Sequence, residues 1–263
     1  MIWQKIRSLF AGTPRVDDLF QDHWAEVLVA DVPVYSRLPE DLKSKLHERI
    51  ARFIASTRFE GCNGLELTEE MLLTVAAQAC MLVLNREGDP YPGLTNVYLY
   101  PTTFSSVQAR RDEMGVVTEG VVHRLGESWS TGTVVLAWDS VYHGARNPDD
   151  ARNVTFHEFA HQLDHEDGDT DGAPALPCRE SYRSWARVFG ENYAEVRERI
   201  EAGKRCLMDP YGATEPAEFF AVATETFFEK PRQLHRKFPE LYDEMKGFYG
   251  LDPKEWFQPR TGA

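Results

Sequence analysis

Val154-Thr155-Phe156-His157-Glu158-Phe159-Ala160-His161-Gln162-Leu163-Asp164 is the stretch from which this chain is best read. It contains His-Glu-x-x-His. Four residues on an α-helix turn the chain by about 400°, so His157 and His161 share one face about one turn apart. Two imidazoles so placed can both reach one Zn2+ through bonds of about 2 Å. Glu158 is rotated one step to the side, where it can take a proton from water without ligating the metal. The pattern has meaning only on a helix, and the flanks predict one. Asn147 can cap a first turn, Pro148 fits the first helical position, and Asp149 and Asp150 suit the positive end of the dipole. No Pro or Gly interrupts from Asp149 to Asp167. Val154, Phe156, Phe159, Ala160 and Leu163 surround the motif with apolar side chains. Two His and a Glu are costly to bury there unless something pairs with them, which favours a metal site over satisfied core histidines.

The chain has 263 residues, enough for one large domain or two small ones. We read 1–20 as an N-terminal segment, 21–257 as a single domain and 258–263 as a loose tail. Hydrophobic residues at 42% and charged residues at 27% fit a soluble globular protein. A net charge of −13 with no basic block argues against direct nucleic-acid binding and against an anionic membrane surface. Cys62, Cys80, Cys178 and Cys206 are scattered and form no C-x-x-C pair, as in a reducing compartment. Lys5 and Arg7 are not followed by an apolar signal-peptide core. The apolar run from Met71 to Leu84 is too short to span a bilayer. The expected location is the cytoplasm.

Ile2, Trp3, Ile6, Leu9 and Phe10 could line one face of a short terminal helix. Leu42, Leu46, Ile50, Phe53 and Ile54 have helical spacing after Pro39. Thr68 caps the next predicted helix, which is apolar nearly all round to Leu84 and is the expected core. Val97 to Tyr100 reads as a strand, and 102–126 as an irregular solvated loop carrying Arg110, Arg111, Asp112 and Glu113. Gly132 to Trp138 is the best strand, placed immediately before the metal helix. It is either an edge along which a peptide can pair or an ordinary buried strand. Helices are expected over 180–202, with Tyr182, Trp185, Val188 and Phe189 inward, and from Pro216 through Phe228, with shorter pieces to Phe248.

A catalytic zinc usually has three protein ligands and one open position. Asp164, His165, Glu166, Glu215, Glu218 and Glu225 are candidates for the third. His165 is two turns, about 12 Å, beyond His157 and cannot share its ion. Asp164 could instead orient His161 as a hydrogen-bond acceptor. Glu218 falls in the first turns of a helix opened by Thr214 and Pro216. There it is either a dipole partner or a ligand, and position alone leaves the choice open.

His-Glu-Phe-Ala-His-Gln-Leu-Asp followed by Tyr-Gly-Ala-Thr-Glu-Pro-Ala-Glu-Phe-Phe-Ala resembles the Mlc titration factor A family of bacterial zinc peptidases. The two motifs are also similar to those of the anthrax lethal factor catalytic domain, which shares the H-x-x-D spacing. The first resemblance spans roughly Leu38 to Pro253 and includes G-L-E-L-T-E-E-M, Y-L-Y-P and G-E-S-W-S-T-G-T-V-V-L-A-W. It implies that His157, His161 and Glu218 bind one Zn2+, that Glu158 is the base and that Tyr211 faces the reacting carbonyl. It implies an α+β, mostly helical gluzincin-type zinc metallopeptidase domain with a small β-sheet, acting on peptides with an aminopeptidase-like preference. It also implies an alternative, a regulatory protein that binds and sequesters a transcriptional repressor of sugar-uptake genes, with or without peptidase activity. No stretch of the chain identifies an S1 pocket or the repressor-binding surface.

Overall fold

The run Leu72 to Leu84 is buried at every position, and the other elements assemble around it. The structure, a computed structural model, describes residues 20–256 other than 90, 112–116, 125, 130 and 131. Helices α1 (Asp22–Asp31) and α2 (Glu40–Ser56) lead into strand β1 (Arg58–Gly61) and the core helix α3 (Glu69–Leu82). Strands β2 (Asn96–Tyr100), β3 (Phe104–Arg111), β4 (Val117–Arg124), β5 (Gly126–Trp129) and β6 (Thr133–Ala137) follow. The rest is helical: α4 (Trp138–Arg146), α5 (Val154–Asp164), α6 (Arg179–Glu201), α7 (Pro216–Glu229), α8 (Pro231–Lys237), α9 (Pro239–Tyr249) and α10 (Pro253–Trp256). The chain is therefore mostly helical with a small sheet. No described helix is long and apolar enough to cross a membrane.

Thr68 caps α3 as expected, its side chain accepting the Met71 N–H at 3.3 Å. Leu46, Ile50, Phe53 and Ile54 bury the expected face of α2, and Trp185, Val188 and Phe189 bury that of α6. Tyr182 is only partly buried, its hydroxyl accepting the Leu176 N–H at 3.1 Å. The main sheet has the order β1-β2-β6-β5. β1, β2 and β6 run parallel, and β5 pairs antiparallel with β6. All five β6 residues are buried, as the β-branched run demands.

Three expectations need correction. The stretch 102–126 is not an irregular loop: β3 and β4 pair antiparallel from Phe104↔Arg124 to Arg111↔Val117. The strand at 133–137 does not directly precede the motif helix, because α4 intervenes; of its two readings, edge or ordinary buried strand, the buried one holds, with neighbours on both sides. Among the described strands the ends of this sheet are β1 and β5, each with one neighbour. The metal helix begins at Val154, not near Pro148, because Ala151 at φ 58° breaks the helical path and Asn153 becomes the cap. It ends at Asp164, and His165–Asp167 continue as a 3-10 turn. Strand β1 had no pattern of its own and exists through its pairing with β2. The terminal helix read from Ile2 to Phe10 lies outside the described residues.

Helix α5 lies against α3, β5 and α7. Phe156 stacks on Phe228 with centroids 5.1 Å apart, and Phe159 meets Phe53 and Tyr91 edge-on at 5.8 and 5.0 Å. Full burial of each such side chain contributes about 1.5–3 kcal/mol. A close backbone approach ties the two ends of the site. Gly172 adopts φ 82°, and a Cβ there would meet the Pro216 carbonyl oxygen at 2.5 Å. Gly172→Ala is expected to destabilise the fold by about 2–4 kcal/mol in urea unfolding, from left-handed strain and overpacking together. A loss below about 1 kcal/mol would show that the 168–174 loop moves away at little cost.

Candidate metal centre

The motif helix turns two faces to different surroundings. Phe156, Phe159, Ala160 and Leu163 point into the core, while His157 and His161 face α7. Helix α7 runs antiparallel to α5: its Glu218 meets His157 and His161, and its Glu225 meets Asn153 and His157. Glu218 stands in the first turn of α7, where Pro216 at the start fixes φ and needs no N–H partner.

His157 Nε2 lies 2.9 Å from Glu218 Oε2, His161 Nε2 lies 3.4 Å from the same oxygen, and the two Nε2 atoms are 3.3 Å apart. The ligand atoms of this trio all fall within 4.8 Å of one another. Three donors bound at about 2.0 Å around a tetrahedral ion are about 3.3 Å apart, so the trio fits one Zn2+ with a fourth side left open. It is also the donor set, two imidazoles and a carboxylate, that suits zinc.

The electrostatics point the same way. Glu158, Asp164, Glu225 and Glu229 are all buried, with Glu218 partly so. Burial disfavours charge on Glu218, but hydrogen bonds from His157 and His161 outweigh it and hold its carboxyl well below the usual range. Burial likewise opposes charge on His157, yet hydrogen bonds to Glu218 and Glu225 hold its pKa well above the ordinary value. Burial pushes Glu225 up, against its hydrogen bond with His157. Such a concentration of buried anions favours a cation at the imidazole pair. Metal entry would displace the proton from His157 Nε2.

Glu225 is the partner that spacing did not assign. It was one candidate ligand among six, and it instead lies 2.8 Å from His157 Nδ1, on the side away from Glu218. That contact orients the ring with Nε2 toward the trio. Asp164 does not hydrogen-bond His161. Its buried carboxylate accepts the Gly172 N–H at 2.9 and 3.0 Å, and burial pushes its pKa up to about 6 against that bond. Its function is to hold the loop that packs on Pro216, because the helix ends there and the side chain meets the returning chain rather than the ring one turn back. His161 Nδ1 is buried and has no hydrogen-bond partner among the described residues. His165, Glu166 and Glu215 stand outside the trio: His165 lies 3.1 Å from Thr170, Glu166 pairs with Arg86, and Glu215 is the N-cap residue of α7.

Tyr211 sits on the 3-10 turn Pro210–Ala213 and donates its hydroxyl to Glu218 Oε1 at 3.1 Å. Asp209 accepts the Tyr211 N–H at 3.0 Å and pairs with Arg152 at 3.0 Å, which fixes the turn beside the start of α5. The phenol is 53% exposed, so it bounds the open side of the cluster. Glu158 is 6% exposed, one step round α5 from His157.

The site therefore separates two carboxylates by task. Glu218→Gln replaces an anionic oxygen inside the trio and is expected to abolish tight Zn2+ binding, as are His157→Ala and His161→Ala. Glu225→Gln, which touches the Asn153 N–H and, on the side away from the trio, His157, should weaken it about 10–100-fold. Elemental analysis and chelator competition on the purified variants check this. Tight metal retained in Glu218→Gln would refute the trio.

Residues 10–250 match the model of the glucose-regulated metallo-peptidase M90 family. An uncharacterised protein of Synechocystis sp. is 40% identical over 244 residues, covering 91% of this chain and 89% of that one. Mlc titration factor A of Klebsiella pneumoniae subsp. pneumoniae is 32% identical over 235 residues, covering 88% and 86%. Mlc titration factor A of Enterobacter sp. is 31% identical over 244 residues, covering 91% and 89%.

Proposed function

Because the chain belongs to the glucose-regulated metallopeptidase M90 family, together with the Mlc titration factor A proteins, we propose that it is a zinc-dependent peptidase of gluzincin type. The observation that carries this is the convergence of His157, His161 and Glu218 within 4.8 Å, with Glu158 buried beside them. When bound, Zn2+ supplies Lewis acidity, acidifying water and polarising a carbonyl. Glu158 takes the proton from the attacking water and returns it to the leaving amine. Tyr211 gives up its hydrogen bond to Glu218 and donates to the oxygen that becomes negative. A buried base next to His157 in sequence and a half-exposed tyrosine bonded to Glu218 suit those tasks.

The substrate in this reading is a peptide. Strand β5 contacts α5 and, among the described strands, pairs only with β6, so an extended peptide can pair along its other edge and bring a carbonyl to the trio. An aminopeptidase-like preference is carried over from the resemblance alone. We take 21–257 as one domain, since a single apolar cluster runs from Trp24 to Trp256, and place the protein in the cytoplasm of its source. A second reading rests on the relatives' name: the chain binds a regulatory partner corresponding to Mlc, a transcriptional repressor, with or without hydrolysis.

Glu158→Gln separates these. It keeps the shape and removes the base, so chelator-sensitive hydrolysis of amino-acid anilides should collapse while zinc content stays at one per chain. Repressor binding, measured on the same variant, should survive. Zinc without hydrolysis in the wild type would favour the binding role. Tyr211→Phe should leave zinc affinity nearly unchanged and lower kcat and kcat/KM together by about 10²–10³, the loss expected for one oxyanion donor. A change confined to KM would remove Tyr211 from the transition state.

A further inference from the structure

Glu218, Glu225 and Glu229 fall at i, i+7 and i+11 on α7, which places them on one face of a helix with no other charged residue. Two of them are accounted for at the trio. Glu229 is not: it lies about 16 Å along the helix axis from Glu218, too far to touch a shared ion. It is 1% exposed, so its carboxylate has no help from solvent.

Its contacts lead back to the site. Glu229 Oε1 accepts from Asn153 Nδ2 at 2.9 Å, and Oε2 accepts the Ala151 N–H at 2.9 Å. Asn153 Nδ2 also donates to Gln78 Oε1 at 2.7 Å. With two acceptors on its nitrogen, the Asn153 amide has one permitted sense, and its Oδ1 accepts the Phe156 N–H at 3.1 Å as the cap of α5. The Asn153 backbone N–H then donates to Glu225 Oε2. Glu225 Oε1 faces His157 Nδ1 at 2.8 Å. Neighbouring Lys230 donates to the Asp150 carbonyl at 2.7 Å, closing the same turn in which Ala151 holds φ 58°.

We propose that Glu229 is a positioning residue for the metal centre, acting through Asn153 and Glu225 to hold the His157 ring with Nδ1 as donor and Nε2 toward the ligand trio. The proposal rests on the metallopeptidase reading for its purpose, though not for its geometry. A plain structural staple would need only one bond between α7 and the turn. Here both oxygens are used as acceptors, and each acts on the residue that caps the motif helix or on the turn before it. An amide at 229 would present an NH2 to one of two N–H donors, so one link becomes a repulsion. Burial, with the nearby charge of Glu225, pushes the Glu229 carboxyl up to about 8, while its bond from Asn153 opposes this. The acid is costly to bury, and what it returns is acceptors for the buried Ala151 N–H and the Asn153 amide.

The test combines Glu229→Gln, Glu225→Gln and the double variant, with Zn2+ affinity read by chelator competition on full-length protein. Glu229→Gln should weaken Zn2+ about 10–100-fold, the range for residues that act through a ligand. In the Glu225→Gln background the same change should cost about twofold or less, because the path to His157 is already cut. Additive losses, or wild-type affinity in Glu229→Gln, would overturn the proposal. Gln78→Met removes the other acceptor of the Asn153 amide and should weaken Zn2+ in the same direction. It carries the test if Glu229→Gln does not fold, and unchanged affinity there counts against the proposal. Proton NMR of the metal-free chain gives a reading independent of peptidase chemistry. Exchange of the His157 Nδ1 proton with water should be at least about tenfold faster in Glu229→Gln or Gln78→Met, and an unchanged rate refutes the positioning role. A wild-type chain that takes up no Zn2+ sinks the peptidase reading, and the proton exchange still decides this one.

Discussion

Three carboxylates on one helix, set against an N-cap and two imidazoles on an antiparallel partner, are the constraint on which the rest of this structure depends. Glu218, Glu225 and Glu229 are spread along the buried seam between α7 and α5. Acids in an apolar helix would be strongly destabilising if the seam slipped by one turn, because each would lose its donors and remain desolvated. The seam therefore has one register. That register sets which oxygen meets which nitrogen around His157 and leaves Nε2 of both motif histidines beside Glu218.

The surrounding elements keep the seam in place from both ends. At the start of α5, Asn153 and the turn at Ala151 are held by the last residues of α7 and by Gln78 from the core helix. At its end, Asp164 holds Gly172, whose missing side chain lets the loop lie on the Pro216 carbonyl at the start of α7. Trp185 adds a donor to the Gly172 carbonyl at 2.8 Å from α6. Core helix α3 packs on the apolar side of α5, so the ligand helix cannot roll without opening the interior. The open side is bounded by Tyr211, whose turn is anchored through Asp209 to Arg152 just ahead of the N-cap. Rigid support on three sides with one accessible face is what a pre-organised hydrolytic site requires.

Much of this was legible in the residues themselves. Helical spacing alone puts His157 and His161 on one face, and the apolar residues between them assign the opposite face to the core. The Thr68 cap, the largely apolar α3 and the β-branched run at 133–137 all read correctly, because each signal is local: a cap, a period, a propensity. Glu218 was one of several possible acids by position, and only the motif around it singled it out.

What the sequence could not determine was set by which distant segments meet. Strand β1 carries no decisive local pattern and exists through its pairing with β2, across the whole of α3, while β3 and β4, among the described strands, pair only with each other. The helix start moved from Pro148 to Val154 because the left-handed turn at Ala151 is held by Glu229, which is 78 residues away in sequence. Asp164 turned from His161 to Gly172 for a similar reason: the returning loop places a buried N–H nearer than the ring. The sequence determined the donors and acceptors and the helical faces that carry them. The tertiary structure decided their partners, because a hydrogen bond depends on an approach within about 3 Å that only the packing of two helices can set.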